Sequence, residues 1–356
     1  MLSLGLSLDK KHLEKIDVDT LNYKSSEDHT ALISKDNKQL VLTTKDFTMP
    51  KDILEIADFA CSYTNNKIIE IPEGVTKVGM SFTNCGDVDE VRIPESLLSL
   101  HSGCFINTNV KKFVVSKDNP IFYTNEAQDT LYCRKHASYP SSIFYLGRNA
   151  LIPEGTIALT AQVFSAKGHK KVYIPSTLCT FPFNASFDNE LESIECSKDN
   201  PFWSSKDNCL LSKDGTKLLL ACKLSKIPES VTCIKAGAFA SVESLDELHI
   251  GKNVNRIERG AFNKNIKVKH ISVDKDNKVF DSRDNCNAVI ISECNYAILI
   301  GENAKLPDGV RVPNTDELRN LASINRAALV IPLKLDENGE PENKRKEVDS
   351  DDEMPF

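Results

Sequence analysis

The chain has 356 residues, of which 40% are hydrophobic and 27% charged, and its formal net charge at pH 7 is −7. This composition is ordinary for a soluble protein, and the acidic balance argues against nucleic acid as the main partner. Residues 1–11 lack the basic start and apolar core of a secretory signal, and no apolar run approaches the ~18 residues of a membrane helix. The sequence as given therefore predicts a cytoplasmic protein without membrane insertion.

The chain begins with a strand-like pattern at Leu13, Ile16 and Val18. These residues follow an apolar-x-x-apolar-x-apolar rule, whose last three positions alternate as in a strand with one buried face. Only residues 1–12 precede this strand. We interpret them as a minimal N-terminal cap or as a truncation point within a longer natural protein, since the open end of a stacked array needs a cover.

Long units recur along the chain, and each contains apolar runs around a turn rich in Asp and Asn. Such a pattern predicts a β-hairpin. The hairpins are predicted at residues 22–42, at 118–123, at 199–203 together with 210–215, and at 276–280. In the last three, an aromatic residue follows two or three places after the asparagine.

Plain units lie between the hairpins, and each is marked by an apolar residue followed by proline. Proline suits the end of a strand because it lacks an N–H group and has a fixed φ. These markers are Met49-Pro50, Ile71-Pro72, Ile93-Pro94, Ile152-Pro153, Ile174-Pro175, Ile227-Pro228 and Leu306-Pro307. The spacing from Pro50 to Pro72 and from Pro72 to Pro94 is 22 residues.

A second signature, Ile-x-x-Gly-Ala-Phe, occurs at residues 234–239 and again 23 residues later at 257–262. A period of this length predicts a solenoid of stacked repeats. One short strand cannot bury its apolar face alone, but a stack of such strands can, and neighbouring strands then pair into a continuous parallel sheet. The repeat is therefore the predicted folding unit.

These signatures resemble the BspA-type leucine-rich repeat. The Gly-Ala-Phe turn, the strand and the Ile-Pro-Glu-Ser-Val or Ile-Pro-Glu-Gly-Val segments at 227–231 and 71–75 carry the resemblance, which covers residues 13–313. The Asp-Asn-Pro-x-aromatic hairpins are also similar to that family. Residues 79–82 and 161–164 keep the phenylalanine but lose Gly-Ala.

The resemblance implies a β-rich leucine-rich repeat solenoid with a parallel concave sheet and hairpin-bearing repeats. It implies adhesion and protein binding rather than catalysis. It also implies a surface-displayed or secreted protein, so a cell-surface or secreted location is the alternative to the cytoplasm.

The C-terminal part differs from the repeats. Residues 314–317, Asn-Thr-Asp-Glu, are typical of a helix N-terminus. We predict a helix–strand cap at 314–335. Residues 336–356 are acidic with almost no apolar residues, so they are predicted to be disordered. In this tail Ser350 is a candidate phosphorylation site, although a solvated charged tail explains the same residues.

The sequence contains few signs of reactive chemistry. The eleven cysteines include no Cys-x-x-Cys pair and are interpreted as core thiols, and the seven histidines are dispersed. Residues 274–277, Asp-Lys-Asp-Asn, look like a calcium loop but lack its glycine and glutamate, which favours turn capping. Asn184-Ala185-Ser186 is a glycosylation sequon. No cofactor, metal or catalytic residue is predicted.

The exposed face of the predicted sheet is the main candidate binding site. Aligning the strands places one outward column at Glu70, Arg92, Val114, Tyr173, Glu195, His249 and Ser272. A second column runs through Ile68, Glu90, Lys112, Lys171, Ser193, Glu247 and His270. Because neither sign of charge dominates, this face suits a protein epitope, and Ile68, Val114 and Tyr173 are the predicted anchors.

A protruding hairpin is the other candidate contact. The hairpin aromatics are Phe122, Tyr123, Phe202, Trp203 and Phe280, which either grip a partner or cover the edge of the solenoid. The first hypothesis is a non-catalytic adhesion or protein-binding solenoid, with a host protein or a second copy as partner. A passive surface-layer element, a non-catalytic subunit of a complex and a hidden enzyme are the alternatives.

Overall fold

The structure is a computed structural model that describes residues 13–36, 38–134, 142–148, 150–159, 163–164, 168–181 and 190–313. The described residues are almost entirely strands and turns, and they include no helix long and apolar enough to cross a membrane. The predicted N-terminal cap, the sequon, the C-terminal helix–strand cap and the acidic tail lie outside them.

The described strands, in chain order, are β1 (Tyr23–Ser25), β2 (Ala31–Ser34), β3 (Gln39–Thr43), β4 (Glu55–Ile56), β5 (Ile68–Glu70), β6 (Lys77–Val78), β7 (Gly86–Val88), β8 (Glu90–Ile93), β9 (Ser99–Leu100), β10 (Thr108–Val110), β11 (Phe113–Val115), β12 (Phe122–Thr124), β13 (Leu131–Cys133), β14 (Ser142–Tyr145), β15 (Ala158–Leu159), β16 (Lys171–Ile174), β17 (Ser193–Cys196), β18 (Trp203–Lys206), β19 (Cys209–Ser212), β20 (Lys217–Ala221), β21 (Cys233–Ile234), β22 (Ser244–Ile250), β23 (Arg256–Ile257), β24 (Lys267–Val273), β25 (Phe280–Asp281), β26 (Ala288–Ile291) and β27 (Tyr296–Ile300). A single 3-10 turn of the described chain spans Arg283–Asn285.

Two sets of parallel sheets form opposite sides of each repeat. On one side, β5, β8 and β11 pair in parallel, as do β16 with β17 and β22 with β24. On the other side, the two-residue strands β4, β6 and β9 continue from β3, while β21 and β23 continue from β20. The predicted parallel stacking of repeats is thus confirmed, with apolar residues of both sides meeting in the core between them.

The second and third hairpins each separate two successive hydrophobic cores. Because side chains of a strand alternate between its two faces, Leu210 of β19 packs in the same core as Trp203 and Leu220, whereas Leu211 packs with Leu218 and later repeats. Similarly, β13 has residues in two successive cores. For these two hairpins the prediction that they protrude is wrong: each lies between two cores, because both faces of its central strand are apolar.

The hairpin tip interrupts the first set of sheets. In the third hairpin, the Cys196 N–H donates to Ser205 Oγ at 2.8 Å, and the Lys226 N–H donates to the Asp207 carbonyl at 3.1 Å. The tip therefore binds the last strand before it and the first repeat after it. This insertion divides the predicted single concave sheet into three segments.

An asparagine fixes the start of each of the last three hairpins, and it is buried in the first two of them, at Asn119 and Asn200. Asn200 Nδ2 donates to the carbonyls of Pro175 at 2.8 Å and Leu178 at 3.0 Å, in the turn of the preceding repeat. Its Oδ1 accepts from the N–H groups of Phe202 at 2.9 Å and Trp203 at 3.0 Å. One side chain thus satisfies four backbone groups and joins two repeats.

The same arrangement explains the calcium-like residues 274–277. Asn277 Nδ2 donates to the carbonyls of Gly251 and Val254, and its Oδ1 accepts from the N–H groups of Val279 and Phe280. The turn-capping interpretation is confirmed for this asparagine.

The Gly-Ala-Phe turns stack directly on one another. The rings of Phe239 and Phe262 lie 4.8 Å apart and are nearly parallel, and Gly237 N–H donates to the Gly260 carbonyl at 2.8 Å. Both glycines have positive φ, 81° and 71°. Residues other than glycine rarely adopt this conformation, so glycine is required by the turn itself.

Replacing Gly260 with alanine is expected to lower the free energy of unfolding by about 1 kcal/mol, because φ is 71° although no atom lies within 4 Å of an added Cβ. Urea denaturation measures the loss. Gly251→Ala is the matched control, since Gly251 has equal space and no positive φ. Equal stability of the two variants would contradict a conformational requirement at Gly260.

The turn between β19 and β20 contains a carboxylate with a depressed pKa. Asp214 accepts from Ser212 Oγ at 2.5 Å and from the N–H and hydroxyl of Thr216 at 3.0 and 2.9 Å. These hydrogen bonds, that of Ser212 first, lower the pKa of Asp214 from 3.8 to about 2.

The depressed pKa of Asp214 predicts an acid-dependent contribution to stability. The contribution is complete above the ordinary value of 3.8 and is lost as the pH falls through about 2, because the unfolded state binds the proton first. A carboxyl NMR titration of Asp214 is expected to have its midpoint near pH 2, and Ser212→Ala should raise it. An ordinary midpoint in the unmodified chain would contradict this result.

The first predicted strand is absent. Leu13, Ile16 and Val18 lie in irregular chain, although Ile16 is buried. The Ile16 N–H donates to the His29 carbonyl of the first hairpin at 2.8 Å rather than to a neighbouring repeat. The first hairpin thus accepts a backbone hydrogen bond that a parallel strand of the next repeat would otherwise accept.

Candidate functional site

The candidate site is the exposed surface of the first set of sheets, which we call the sheet face. It consists of segment 1 (β5, β8, β11), segment 2 (β16, β17) and segment 3 (β22, β24). Alternation along each strand produces this surface: Val91 and Ile93 are buried in the core, and Arg92 between them is exposed.

The predicted columns correspond to the observed register within each segment. The observed pairs are Ile68 with Glu90, Glu70 with Arg92, Arg92 with Val114, Lys171 with Ser193, Tyr173 with Glu195, Glu247 with His270 and His249 with Ser272. Lys112 precedes β11, and its carbonyl accepts from the Val91 N–H at 2.9 Å. The two columns do not run unbroken along the chain, because hairpins separate the three segments.

Segment 1 is an ion-pair ladder. Arg92 Nε lies 2.6 Å from Glu90 Oε1, and Arg92 Nη1 lies 3.1 Å from Glu70 Oε2. Lys112 Nζ lies 3.3 Å from the second oxygen of Glu90. The hydrogen bond from Arg92, followed by that from Lys112, lowers the pKa of Glu90. Glu90 is therefore an ionised acceptor at neutral pH rather than a proton donor.

Segments 2 and 3 have fewer charge contacts between strands. Lys171 Nζ lies 2.8 Å from Glu195 Oε1, beside the half-buried ring of Tyr173. In segment 3, His249 Nδ1 and Ser272 Oγ are 2.9 Å apart, a hydrogen-bond distance. Glu247 and His270 are exposed cross-strand neighbours. The three segments thus offer chemically different surfaces along one line of repeats.

The predicted apolar anchors are accessible to different extents. Ile68 is 51% exposed, while Val114 and Tyr173 are half-buried. Single exposed apolar residues are common on protein surfaces, so exposure alone does not define a site. These three residues lie among charged side chains that are paired across the strands.

Three of the predicted hairpin aromatics are core residues. Phe122, Trp203 and Phe280 are buried, so their assignment as partner contacts is wrong. Each occupies the inward position of the strand that follows the turn asparagine. The other two differ: Tyr123 is half-buried and stacks on Tyr132 at 5.0 Å, and Phe202 is exposed.

Two exposed leucines were missed by sequence analysis. Leu151 lies two residues before Pro153, just as Tyr173 lies two residues before Pro175, so these two residues have the same position in the repeat. Leu224 lies four residues before Pro228, which is the position that Glu247 has in its own repeat. Both leucines are more than half exposed. The spacing from the following proline locates both leucines. An alignment of predicted strands omits them, because neither leucine lies in a strand.

A charged row also borders the columns, one residue before each predicted strand. Its contacts include Lys111 Nζ to Asp89 Oδ1 at 2.6 Å, Lys269 Nζ to Asp246 Oδ1 at 2.6 Å, and Lys223 Nζ to Glu192 Oε1 at 3.1 Å. The last contact joins segment 2 to the repeat that follows the third hairpin. The charges of the sheet face therefore continue past the interruption.

The described residues offer little reactive chemistry. They contain no cluster of three or more His, Cys, Asp or Glu side chains placed to hold a metal ion. Seven cysteines are buried, as expected of core thiols, and burial raises the pKa of Cys104 and of Cys209 to about 12. Such thiols are protonated at neutral pH and are poor nucleophiles.

A family model agrees with the repeat pattern. The model described as a BspA type leucine rich repeat region matches residues 40–131 and 215–298, in six copies. The matched residues include repeats that precede the second hairpin and repeats that follow the third, whereas segment 2 lies between the two matched ranges. No curated protein matches the chain.

Three solved bacterial structures are similar to this chain at low sequence identity. The pneumococcal vaccine antigen PcpA has 14% identity and a TM-score of 0.34, over 74% of this chain and 83% of its own. A leucine-rich repeat protein from Eubacterium ventriosum has 16% identity and a TM-score of 0.32, over 71% and 72%. A leucine rich cell surface protein from Faecalibacterium prausnitzii has 16% identity and a TM-score of 0.32, over 71% and 76%.

Stacked 22–23-residue units, parallel sheets on two sides and the matched family model agree with one another. The chain is a leucine-rich repeat solenoid that carries repeats of the BspA type.

Proposed function

We propose that the chain is a non-catalytic binding protein that recognises another protein through its sheet face. The observation that carries the proposal is the ordered surface of segments 1 to 3, where exposed apolar residues stand among charges fixed by cross-strand pairs. Rigid strands hold these side chains in register, so a partner meets a preformed surface and less conformational entropy is lost on binding.

Electrostatics support recognition rather than proton transfer. The carboxylates of Glu90 and Glu192 have lowered pKa values, because Arg92 and Lys223 respectively donate to them. Both groups are thus ionised acceptors, already oriented by a base. Paired charges on an exposed surface contribute more to specificity and association rate than to affinity.

Affinity capture with matched variants tests the proposal. The sheet-face variant combines Arg92→Ala, Lys112→Ala and Tyr173→Ala. The control combines Arg256→Ala, Lys77→Ala and Leu98→Ala, which removes the same number of charges from the opposite sheets. All these residues are at least partly exposed, so both variants are expected to fold.

The proposal is supported by a protein that binds the unmodified chain and the control but not the sheet-face variant. Calorimetry on purified components should give the same order of affinities. Equal retention by all three chains indicates a passive structural element instead. Loss of binding with the control alone would place the interface on the opposite sheets.

A further inference from the structure

We propose that residues 2–8 cover the front face of the first hairpin and complete the first repeat of the solenoid. The front face consists of the side chains of this hairpin that do not belong to the core behind it, namely Tyr23, Leu32, Val41 and Leu42. The equivalent side chains of the later hairpins fill the core of the repeat before them. Of the repeat before the first hairpin, the structure describes only the part that begins at residue 13.

The third hairpin has the same register as the first. Both contain a bulge in the central strand, after Leu32 and after Leu210. The equivalent pairs are Leu32 with Leu42 and Leu210 with Leu220. Leu210 and Leu220 are 0% and 2% exposed and pack in the core of the preceding repeat. In the same positions, Leu32 is half-buried and Leu42 is 7% exposed.

The second and fourth hairpins use this position in the same way. Leu131 and Val289 correspond to Leu32, because each also stands directly before the bulge of its central strand. Both are 0% exposed, and each packs in the core of the repeat that precedes its hairpin. Three of the four hairpins therefore bury this position against a preceding repeat. The first hairpin has the same apolar position and needs an equivalent cover.

The segment before β1 already occupies the strand position of that preceding repeat. The Val18 N–H donates to Ser25 Oγ at 2.7 Å, just as the Cys196 N–H donates to Ser205 Oγ at 2.8 Å in the third hairpin. Ile16, two residues before Val18, is 6% exposed. The described part of this repeat thus supplies its sheet-face half, and the apolar residues of the other half come from earlier in the chain.

Those apolar residues stand at nearly fixed distances before the strand. Before the second hairpin, the buried turn residue Phe105 lies 10 residues ahead of Val115. Before the fourth hairpin, the buried turn residue Phe262 lies 11 residues ahead of Val273. The same distances before Val18 fall within the segment 2–8. This segment therefore has the place in the repeat from which the other cores receive a buried turn residue.

Residues 2–8 also have the side chains that a cover of the front face requires. Leucine occupies positions 2, 4, 6 and 8, and Ser3, Gly5 and Ser7 lie between them. In an extended segment this alternation places all four leucines on one side and the small residues on the other. The leucine side matches an apolar face, and burying both together removes apolar surface from water. An open end would instead favour association between chains.

Paired substitutions in the full chain test the proposal, and the alternation itself provides the control. The leucine variant combines Leu4→Asp with Leu6→Asp, and the control combines Ser3→Asp with Ser7→Asp. Both add two carboxylates to the same segment, but only the first places them against the front face. Hydrogen exchange of β1 and β2, measured by mass spectrometry, is expected to be at least about tenfold faster in the leucine variant and unchanged in the control.

A direct measurement on the unmodified chain does not depend on how the variants fold. In a sample with labelled leucine and valine methyl groups, nuclear Overhauser contacts are expected between leucines of residues 2–8 and Leu32 or Val41. Absence of these contacts would overturn the proposal. Equal exchange rates in the leucine variant and the control would overturn it as well.

Sedimentation distinguishes a second copy of the chain as the occupant of the front face. The unmodified chain is expected to be a monomer, and the leucine variant is expected to self-associate as its concentration rises. A dimer of the unmodified chain that Leu32→Asp dissociates would place a second copy on the front face and contradict the cover by residues 2–8. The front face lies outside segments 1 to 3, so the capture experiment judges the proposed function separately.

Discussion

Replacement of Asn200 by alanine is expected to lower the free energy of unfolding by about 4 kcal/mol, because it leaves four backbone groups, three of them buried, without their partner. The side chain is 0% exposed. Water has little access to the three buried groups, so their lost hydrogen bonds are not replaced by solvent. Urea denaturation monitored by circular dichroism measures the change.

An aspartate at the same position distinguishes the contribution of the Asn200 amide donors from that of its acceptor oxygen. Asn200→Asp keeps an acceptor for the Phe202 and Trp203 N–H groups but places a carboxylate against the carbonyls of Pro175 and Leu178. Repulsion and lost donors should make it at least as unstable as the alanine variant. Stability close to that of the unmodified chain would show that the amide donors are dispensable.

Asn253→Ala is the control for loss of an asparagine as such. Asn253 is exposed, and its side chain donates to the Glu229 carbonyl at 2.8 Å. Its replacement is expected to change the unfolding free energy by less than about 1 kcal/mol, since water can solvate that carbonyl. A loss as large as that of Asn200→Ala would mean that burial does not govern the effect.

The register of the sheet face was predictable because it depends on the repeat length alone. An offset of 22 or 23 residues brings Glu70, Arg92 and Val114 together whatever the turns between them adopt, and the structure pairs them in this order. Any error of one residue would have reversed the buried and exposed faces. The period and the alternation therefore determined the same register independently.

The role of the hairpins was not predictable from the same pattern. An aromatic residue after an Asp-Asn turn is compatible with either face of the next strand. The buried hydrogen bonds of the asparagine select the face, because they fix the chain direction before β18 and direct Trp203 inward. These bonds involve carbonyls about 22–25 residues earlier in the chain, which local sequence analysis does not connect with the turn.

The division of the sheet into segments has the same origin. The sequence indicates that a hairpin is inserted, but the destination of its tip depends on how the extra strands cross the repeat. Ser205 and Asp207 occupy the tip and bind the chain on either side. The first repeat after the hairpin then lacks a regular strand, and its exposed Leu224 escapes a search based on strands.

Trp203 and its neighbour Phe202 provide the clearest test of the corrected assignment. Trp203 is 8% exposed and packs edge-on against Phe181 at 6.3 Å, whereas Phe202 is 48% exposed. Trp203→Ala is expected to lower the free energy of unfolding by about 3–5 kcal/mol, through lost burial and the cavity that remains. Phe202→Ala is expected to lower it by less than about 1 kcal/mol.

Measuring both stability and partner affinity of the Trp203→Ala variant distinguishes a core role of Trp203 from a binding role. If Trp203 belongs to the core, its replacement shifts the urea midpoint, and a protein captured by the unmodified chain binds the variant with unchanged affinity under conditions in which the variant remains folded. A partner-binding tryptophan would give the reverse result, with normal stability and lost affinity. That outcome would return the hairpin to the exterior and contradict its position between two cores.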